Sequence, residues 1–71
     1  MTEPREVPIR GDTIRLGQLL KLAGLADSGT EARALVRDGA VRVNGEVETR
    51  RGRQLTRGDV VCASGEDVRV A

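Results

Sequence analysis

The feature that most constrains the fold of this chain is a change of periodicity, from helical to alternating, within residues 28–53. Ser28 and Glu31 have the S-x-x-E spacing of a capping box, in which each side chain satisfies a backbone amide at the start of a helix. Gly39 is expected to end this helix, since glycine adopts the left-handed conformation at low cost. Residues 41–43 then alternate apolar and polar, as in a strand. The apolar face of the predicted helix consists of Ala32, Leu35 and Val36.

The dipeptide Asn44-Gly45 predicts a hairpin after that strand. Two registers are open. A two-residue loop would place Arg42 opposite Val47, whereas a three-residue loop, 43–45, would pair Arg42 with Glu46 and Val41 with Val47. We expect the three-residue loop, because it pairs apolar with apolar side chains and joins opposite charges.

A second helical pattern precedes this segment. Four apolar residues recur at the spacing of one helix face: Leu16, Leu19, Leu20 and Ala23. Asp12 or Thr13 is expected to cap the start of this first helix, and Gly24 to end it. The connection that follows is so short that the two helices must pack on each other.

The flanking segments have strand patterns. Residues 7–9 and 68–70 both alternate, so the two ends of the chain are expected to pair, and residues 54–55 and 60–63 read as further short strands. Residues 1–6 are expected to be frayed. The predicted fold class is α+β, with two packed N-terminal helices against a small, mostly antiparallel sheet, in a single domain over residues 1–71 with a core of about 14–61.

Composition excludes several classes of function. The 71 residues include one cysteine, no histidine and no aromatic residue. An internal disulfide, an ordinary zinc site and nucleophilic catalysis with a histidine base are therefore not available. The glycines lack the Gly-Lys-Ser/Thr ending of a phosphate-binding loop. We expect no catalytic residue, no metal and no cofactor, and we interpret Cys62 as a buried structural residue and Glu46 and Glu48 as solvated surface charges.

Charge is distributed unevenly along the chain. The net charge is only +1, but residues 33–57 carry seven arginines against three acids, a local balance of +4 that leaves −3 for the remainder. A basic patch on a nearly neutral protein is typical of a nucleic-acid footprint. Eleven of the twelve basic residues are arginine, which suits bidentate contact with phosphate.

The order of these motifs resembles the S-four RNA-binding domain, also called the alpha-L RNA-binding motif. The resemblance covers about residues 14–61 and is strongest to the small stand-alone bacterial members. The motifs are L-x-x-L-L-K-L-x-G at 16–24, S-G-x-x-A at 28–32 and V-N-G-x-x-E-x-R-R at 43–51. Each is weak alone, but their order and spacing are specific.

The resemblance implies that the second helix and the adjoining strand loop bind structured RNA of ribosomal or transfer RNA type. Without aromatic side chains for base stacking, the expected mode is contact with phosphates and with RNA shape. The implied RNA-binding residues are Arg15 and Lys21 on the first helix, Arg33 and Arg37 on the second, and Arg50, Arg51 and Arg53 in the loop.

Two alternatives to RNA binding remain at this point. The helical pair could be a helix-turn-helix DNA binder, although Gly29-Thr30-Glu31-Ala32 offers few base-reading side chains. The arginines could instead meet an acidic protein partner, which would make the protein an interaction adaptor. We expect a cytoplasmic protein, since the sequence has neither a leader pattern nor an apolar stretch approaching ~18 residues. We also expect it to be associated with the ribosome and to be a monomer.

Overall fold

The computed structural model describes residues 3–71, which form two short helices and seven short strands. In chain order the elements are β1 (Arg5–Val7), β2 (Thr13–Arg15), α1 (Leu16–Leu22), α2 (Gly29–Arg37), β3 (Arg42–Val43), β4 (Glu46–Val47), β5 (Gln54–Thr56), β6 (Val60–Ala63) and β7 (Glu66–Val70). Within the described residues, neither helix is long and apolar enough to cross a bilayer.

The strands form two sheets, one with the order β1-β7-β6-β3-β4 and one made of β2 and β5. The chain ends pair as expected, but β1 runs parallel to β7, with Arg5 opposite Val68 and Val7 opposite Val70. The α+β class is confirmed, and four of the five strand pairs in the described residues are antiparallel, in line with a mostly antiparallel sheet. Two details do not fully match: the parallel β1–β7 pair makes the larger sheet mixed, and β2, which was not expected, joins β1 ahead of the helices. Alternation along a strand predicts which face is buried but carries no information about strand direction.

The N-terminal segment differs from the expected frayed end. Arg5 and Glu6 belong to β1, and Val7 is 4% exposed and part of the core. Residues 1 and 2, which fall in the same expectation, lie outside the described residues. The strand ends before Pro8, which has no amide to donate to a ladder.

The hairpin has the register that we did not favour. Arg42 pairs with Val47 and Val43 with Glu46 across a two-residue loop, in which Asn44 has φ 52° and Gly45 has φ 88°. Two left-handed residues match the twist of the flanking strands. This turn geometry outweighs the preference for pairing apolar side chains with each other and opposite charges with each other. The register also buries Val43, which is 1% exposed, against the core.

Helix α1 begins without the expected side-chain cap. Thr13 lies in β2 and Arg15 occupies the cap position, with no side-chain hydrogen bond at the helix start. Instead, the amides of Leu16 and Gly17 donate to the carbonyl oxygens of Arg53 and Arg51, at 2.8 and 3.0 Å. Because β5 pairs with β2, it brings the residues before it against the start of the helix. Distant backbone thus satisfies amides that a local cap would otherwise serve.

Helix α2 begins and ends where the sequence predicts. The amide of Glu31 donates to Ser28 Oγ at 3.1 Å, and the carboxylate of Glu31 accepts from the amide of Asp27 at 3.3 Å, one residue earlier than in a standard capping box. The helix ends at Arg37, and Gly39 follows with φ 76°. The predicted start signal at Ser28 and the predicted end signal at Gly39 are therefore both confirmed.

Both helices and strands β1, β3, β5, β6 and β7 contribute to one aliphatic core. The predicted stripe of α1 is buried, with Leu16, Leu19 and Leu20 at 0% exposure. Cys62 differs from its expected burial, since it is only half-buried on the opposite face of β6 from Val61 and Ala63. Its pKa is raised by a hydrogen bond with Asp67, directly across the ladder, and by partial burial.

Candidate nucleic-acid interface

A surface groove of about 530 Å³ lies where α1, the start of α2 and the turn before β5 meet. The start of α2 contributes Gly29 and Thr30, and α1 contributes Gln18. Four basic side chains also line it, and we call this surface the basic groove. They are Arg15, which ends β2 directly before α1 and is not on the helix as expected, Lys21 on α1, Arg33 on α2 and Arg51 in the turn.

The electrostatics of the basic groove favour an anion. Within residues 3–71, no carboxylate lines it, and its four basic side chains make no ion pair with another described residue. All four residues are exposed. Four cationic side chains, at the end of β2, on α1, on α2 and in the turn, therefore converge on one concavity, which suits a ligand with several negative charges.

The other three residues expected to bind RNA lie outside the basic groove. Arg37 forms an exposed ion pair with Asp38, with 3.3 Å between Nε and Oδ1. Arg50 and Arg53 both bind Glu48, at 3.1 and 2.9 Å. The arginines of α2 and of the turn therefore fall into two groups, which the sequence does not distinguish. One group lines the basic groove, and the other forms ion pairs within the protein.

Glu48 is the centre of a hydrogen-bond network and not the solvated surface charge that we expected. It is 6% exposed, and its carboxylate accepts from the amide, Nε and Nη2 of Arg50 and from Nη1 of Arg53. These hydrogen bonds lower the pKa of Glu48 to about 2, and those from the side chains of Arg50 and Arg53 have the largest effect. Glu46, in contrast, is exposed as expected.

Sequence reasoning also missed Gly17. A Cβ atom added at Gly17 would lie 2.7 Å from Cγ of Arg51, so the stem of Arg51 occupies the space that a larger residue would need. A signal was present, because glycine inside an apolar helical pattern costs about 1 kcal/mol relative to alanine and often marks a close approach. For Glu48 the signal was an acid followed closely by three arginines in E-T-R-R-G-R.

These features define a small α+β domain whose helices and turn present a basic groove. The chain belongs to the S4 domain family, whose model matches residues 7–71.

The similar proteins include both sequence relatives and solved structures. YbcJ of Escherichia coli (strain K12) is 39% identical over 57 residues, which cover 80% of this chain and 81% of YbcJ. Its solution structure, described as revealing an alfaL motif involved in RNA binding, superposes with a TM-score of 0.73 at 32% identity and covers 100% of this chain and 91% of that one.

A second relative, the "Probable ribosome maturation protein RlbA" of Bacillus subtilis (strain 168), is 48% identical over 60 residues, covering 82% of this chain and 84% of RlbA. The crystal structure of 30S ribosomal protein S4e from Thermoplasma acidophilum shares the fold, with a TM-score of 0.64 at 23% identity over 84% of this chain and 32% of that one.

Proposed function

We propose that this protein is a non-catalytic RNA-binding protein that contacts structured RNA, of ribosomal or transfer RNA type, through the basic groove. The observation that carries the proposal is the convergence of Arg15, Lys21, Arg33 and Arg51 on one groove that no described carboxylate lines. The alfaL motif of YbcJ, described as involved in RNA binding, and the name of RlbA, a probable ribosome maturation protein, support the same class of partner. The protein acts as a monomer in the cytoplasm.

The mode of binding follows from the side chains available. The chain has no aromatic residue on which a base could stack. Arginine and lysine side chains spread over a concave surface bind phosphates and read the spacing of a folded backbone. The basic side chains come from the end of β2, from α1, from α2 and from the turn together, whereas a helix-turn-helix protein reads DNA mainly from one recognition helix. This distribution favours structured RNA over duplex DNA.

The salt dependence of binding tests the proposal quantitatively. If the four basic side chains of the groove each meet one phosphate of a duplex-like RNA, log affinity against log salt should slope at about −3 to −4, since each contact contributes about −0.9. The measurement is a fluorescence-anisotropy titration of a labelled RNA stem-loop over a series of salt concentrations. An unstructured RNA strand of the same length should bind more weakly.

Matched variants connect the slope to the groove. The double substitution Arg33→Ala with Arg51→Ala should make the slope shallower by about 1.8, because two contacts are lost. Arg10→Ala is the control, since Arg10 is exposed but lies outside the groove. Equal binding by the double variant and the control would refute the assignment to the groove.

Two further ligands test the alternative functions. Tighter binding to a DNA duplex of the same length would support the helix-turn-helix alternative. Equal binding to an acidic polypeptide without defined shape would support the adaptor alternative. Cross-linking and sequencing of RNA that copurifies with the protein would then identify the target.

A further inference from the structure

The three arginines of the turn formed by residues 50–53 are not equivalent. Arg50 and Arg53 point their guanidinium groups at Glu48. Arg51 lies between them, lines the basic groove and makes no ion pair with another residue of the described 3–71. Two of the three positive charges are therefore used within the protein, and the third is available to a ligand.

The backbone of this turn is held from two sides. On one side, the buried carboxylate of Glu48 accepts from the amide of Arg50 at 3.0 Å, as well as from the two guanidinium groups. On the other side, the first two amides of α1 donate to the carbonyl oxygens of Arg53 and Arg51. The amide of Arg53 also donates to the carbonyl oxygen of Arg50 at 3.2 Å, which closes the turn on itself.

Gly17 determines how closely Arg51 approaches α1. The amide of Gly17 binds the Arg51 carbonyl oxygen, and the Cγ and Cδ atoms of Arg51 lie 2.7 and 3.3 Å from the place where a Cβ of residue 17 would be. The contact involves the near end of the side chain, so a methyl group at residue 17 must displace the whole stem of Arg51. The same displacement moves its guanidinium group.

We propose that Glu48 and Gly17 are positioning residues for RNA binding, which act by holding the 50–53 turn so that Arg51 faces the basic groove. The inference rests on the proposed function, because it concerns the same groove. Glu48 binds no RNA itself. Its carboxylate fixes the two ends of the turn, and the glycine leaves room for the stem of the arginine in the middle.

This role gives Glu48 an effect opposite in sign to that of its charge. A carboxylate on a basic surface repels phosphate. If Glu48 acted only through its negative charge, neutralising it should leave RNA binding unchanged or strengthen it. If Glu48 positions Arg51, removing its charge should weaken binding, because a preorganised contact is lost. The two effects cannot be confused with each other.

The first experiment compares Glu48→Gln with Glu46→Gln, titrated against the same labelled RNA stem-loop. Glu46 is the matched control, since it is an exposed acid on the same hairpin, and residues 3–71 supply no ion-pair partner for it. Glu48→Gln should bind about five- to tenfold more weakly at ~0.1 M salt, the loss expected for one phosphate contact with a slope of about 0.9. Glu46→Gln should bind at least as well as the parent. Equal or tighter binding by folded Glu48→Gln would overturn the role of Glu48.

The second experiment tests whether the effect passes through Arg51. Gly17→Ala should weaken binding several-fold in the parent protein, although alanine is the better helix former. In a protein that already carries Arg51→Ala, neither Gly17→Ala nor Glu48→Gln should weaken binding further, because positioning residues act through the side chain that is absent. Additive losses would contradict the proposal. If Glu48→Gln proves unfolded by circular dichroism, the cycle with Gly17→Ala decides alone.

The outcomes separate this inference from the proposed function. A parent protein that binds the stem-loop without a salt slope, or not at all, contradicts the proposed function. A parent that binds with the expected slope and loses affinity on Arg51→Ala, but is unaffected by Glu48→Gln and Gly17→Ala, contradicts the positioning role only.

Discussion

Removing the side chain of Asn44 should destabilise the protein by an amount that can be estimated from its contacts. Its Nδ2 donates to Oδ1 of Asp59 at 3.1 Å, and its Oδ1 accepts from the amide of Val60 at 3.0 Å. The other oxygen of Asp59 accepts from the amide of Thr56 at 2.9 Å. The β3–β4 turn is thus bonded to the 57–59 turn, which lies far from it in sequence.

Two substitutions at Asn44 separate these hydrogen bonds from the backbone conformation. Asn44→Gly loses both side-chain bonds but tolerates φ 52°, and at about 0.5–1.5 kcal/mol for each bond it should lose about 1–3 kcal/mol. Asn44→Ala also pays for a left-handed residue, about 1 kcal/mol more. For 71 residues, a total stability of about 4–11 kcal/mol is typical, so both variants should be measurably weakened.

The β6–β7 turn supplies the control. Ser64 has φ 52° and is followed by Gly65 with φ 77°, so the backbone is like that of Asn44-Gly45. Ser64→Gly should change stability by less than about 1 kcal/mol, because relief of the left-handed conformation and the greater entropy of the unfolded chain nearly cancel. The difference between Asn44→Gly and Ser64→Gly therefore isolates the two hydrogen bonds.

The assay is urea denaturation followed by far-UV circular dichroism, since the chain has no tryptophan or tyrosine for fluorescence. The midpoint should shift while the dependence on urea stays constant, as the same surface is exposed on unfolding. If Asn44→Gly loses no more stability than Ser64→Gly, the bonds to Asp59 and Val60 do not contribute. If Asn44→Ala is as stable as Asn44→Gly, the turn relaxes out of the left-handed conformation.

Two further predictions concern the capping box and the Glu48 network. Ser28→Ala should cost about 1 kcal/mol, because the amide of Glu31 loses its acceptor; an unchanged urea midpoint would contradict this. The folded state lowers the pKa of Glu48 from 4.5 to about 2, so the stability that Glu48 contributes is complete above about pH 4.5 and is lost as the pH falls toward 2. Glu48→Gln should therefore lose less unfolding free energy between pH 5 and pH 3 than the parent, in urea titrations at each pH; identical losses would show that the carboxylate is free.

Local signals in the sequence determined the elements of this fold and their buried faces. The capping serine, the glycines at positions 24 and 39 and the leucine stripe of α1 each depend on interactions within a few residues, and the structure has them as expected. The order of the motifs also determined the family. One exception arose where a non-local partner competed, since β5 paired with residues 13–15 and displaced the expected side-chain cap of α1. Another was the register of the β3–β4 hairpin, which the local geometry of the Asn44-Gly45 turn decided.

The grouping of the charged residues was decided only by the tertiary structure. The arginine content of residues 33–57 is visible in the sequence, but nothing local distinguishes Arg51, which lines the groove, from Arg50 and Arg53, which bind Glu48. Likewise, Glu46 and Glu48 are two acids only two residues apart, and only the folded turn, in which Arg50 and Arg53 bind Glu48, buries one and leaves the other exposed. Whether a charged side chain is paired, buried or available to a ligand depends on the other charges and the solvent around it. The fold sets these surroundings through contacts between segments that are far apart in the chain.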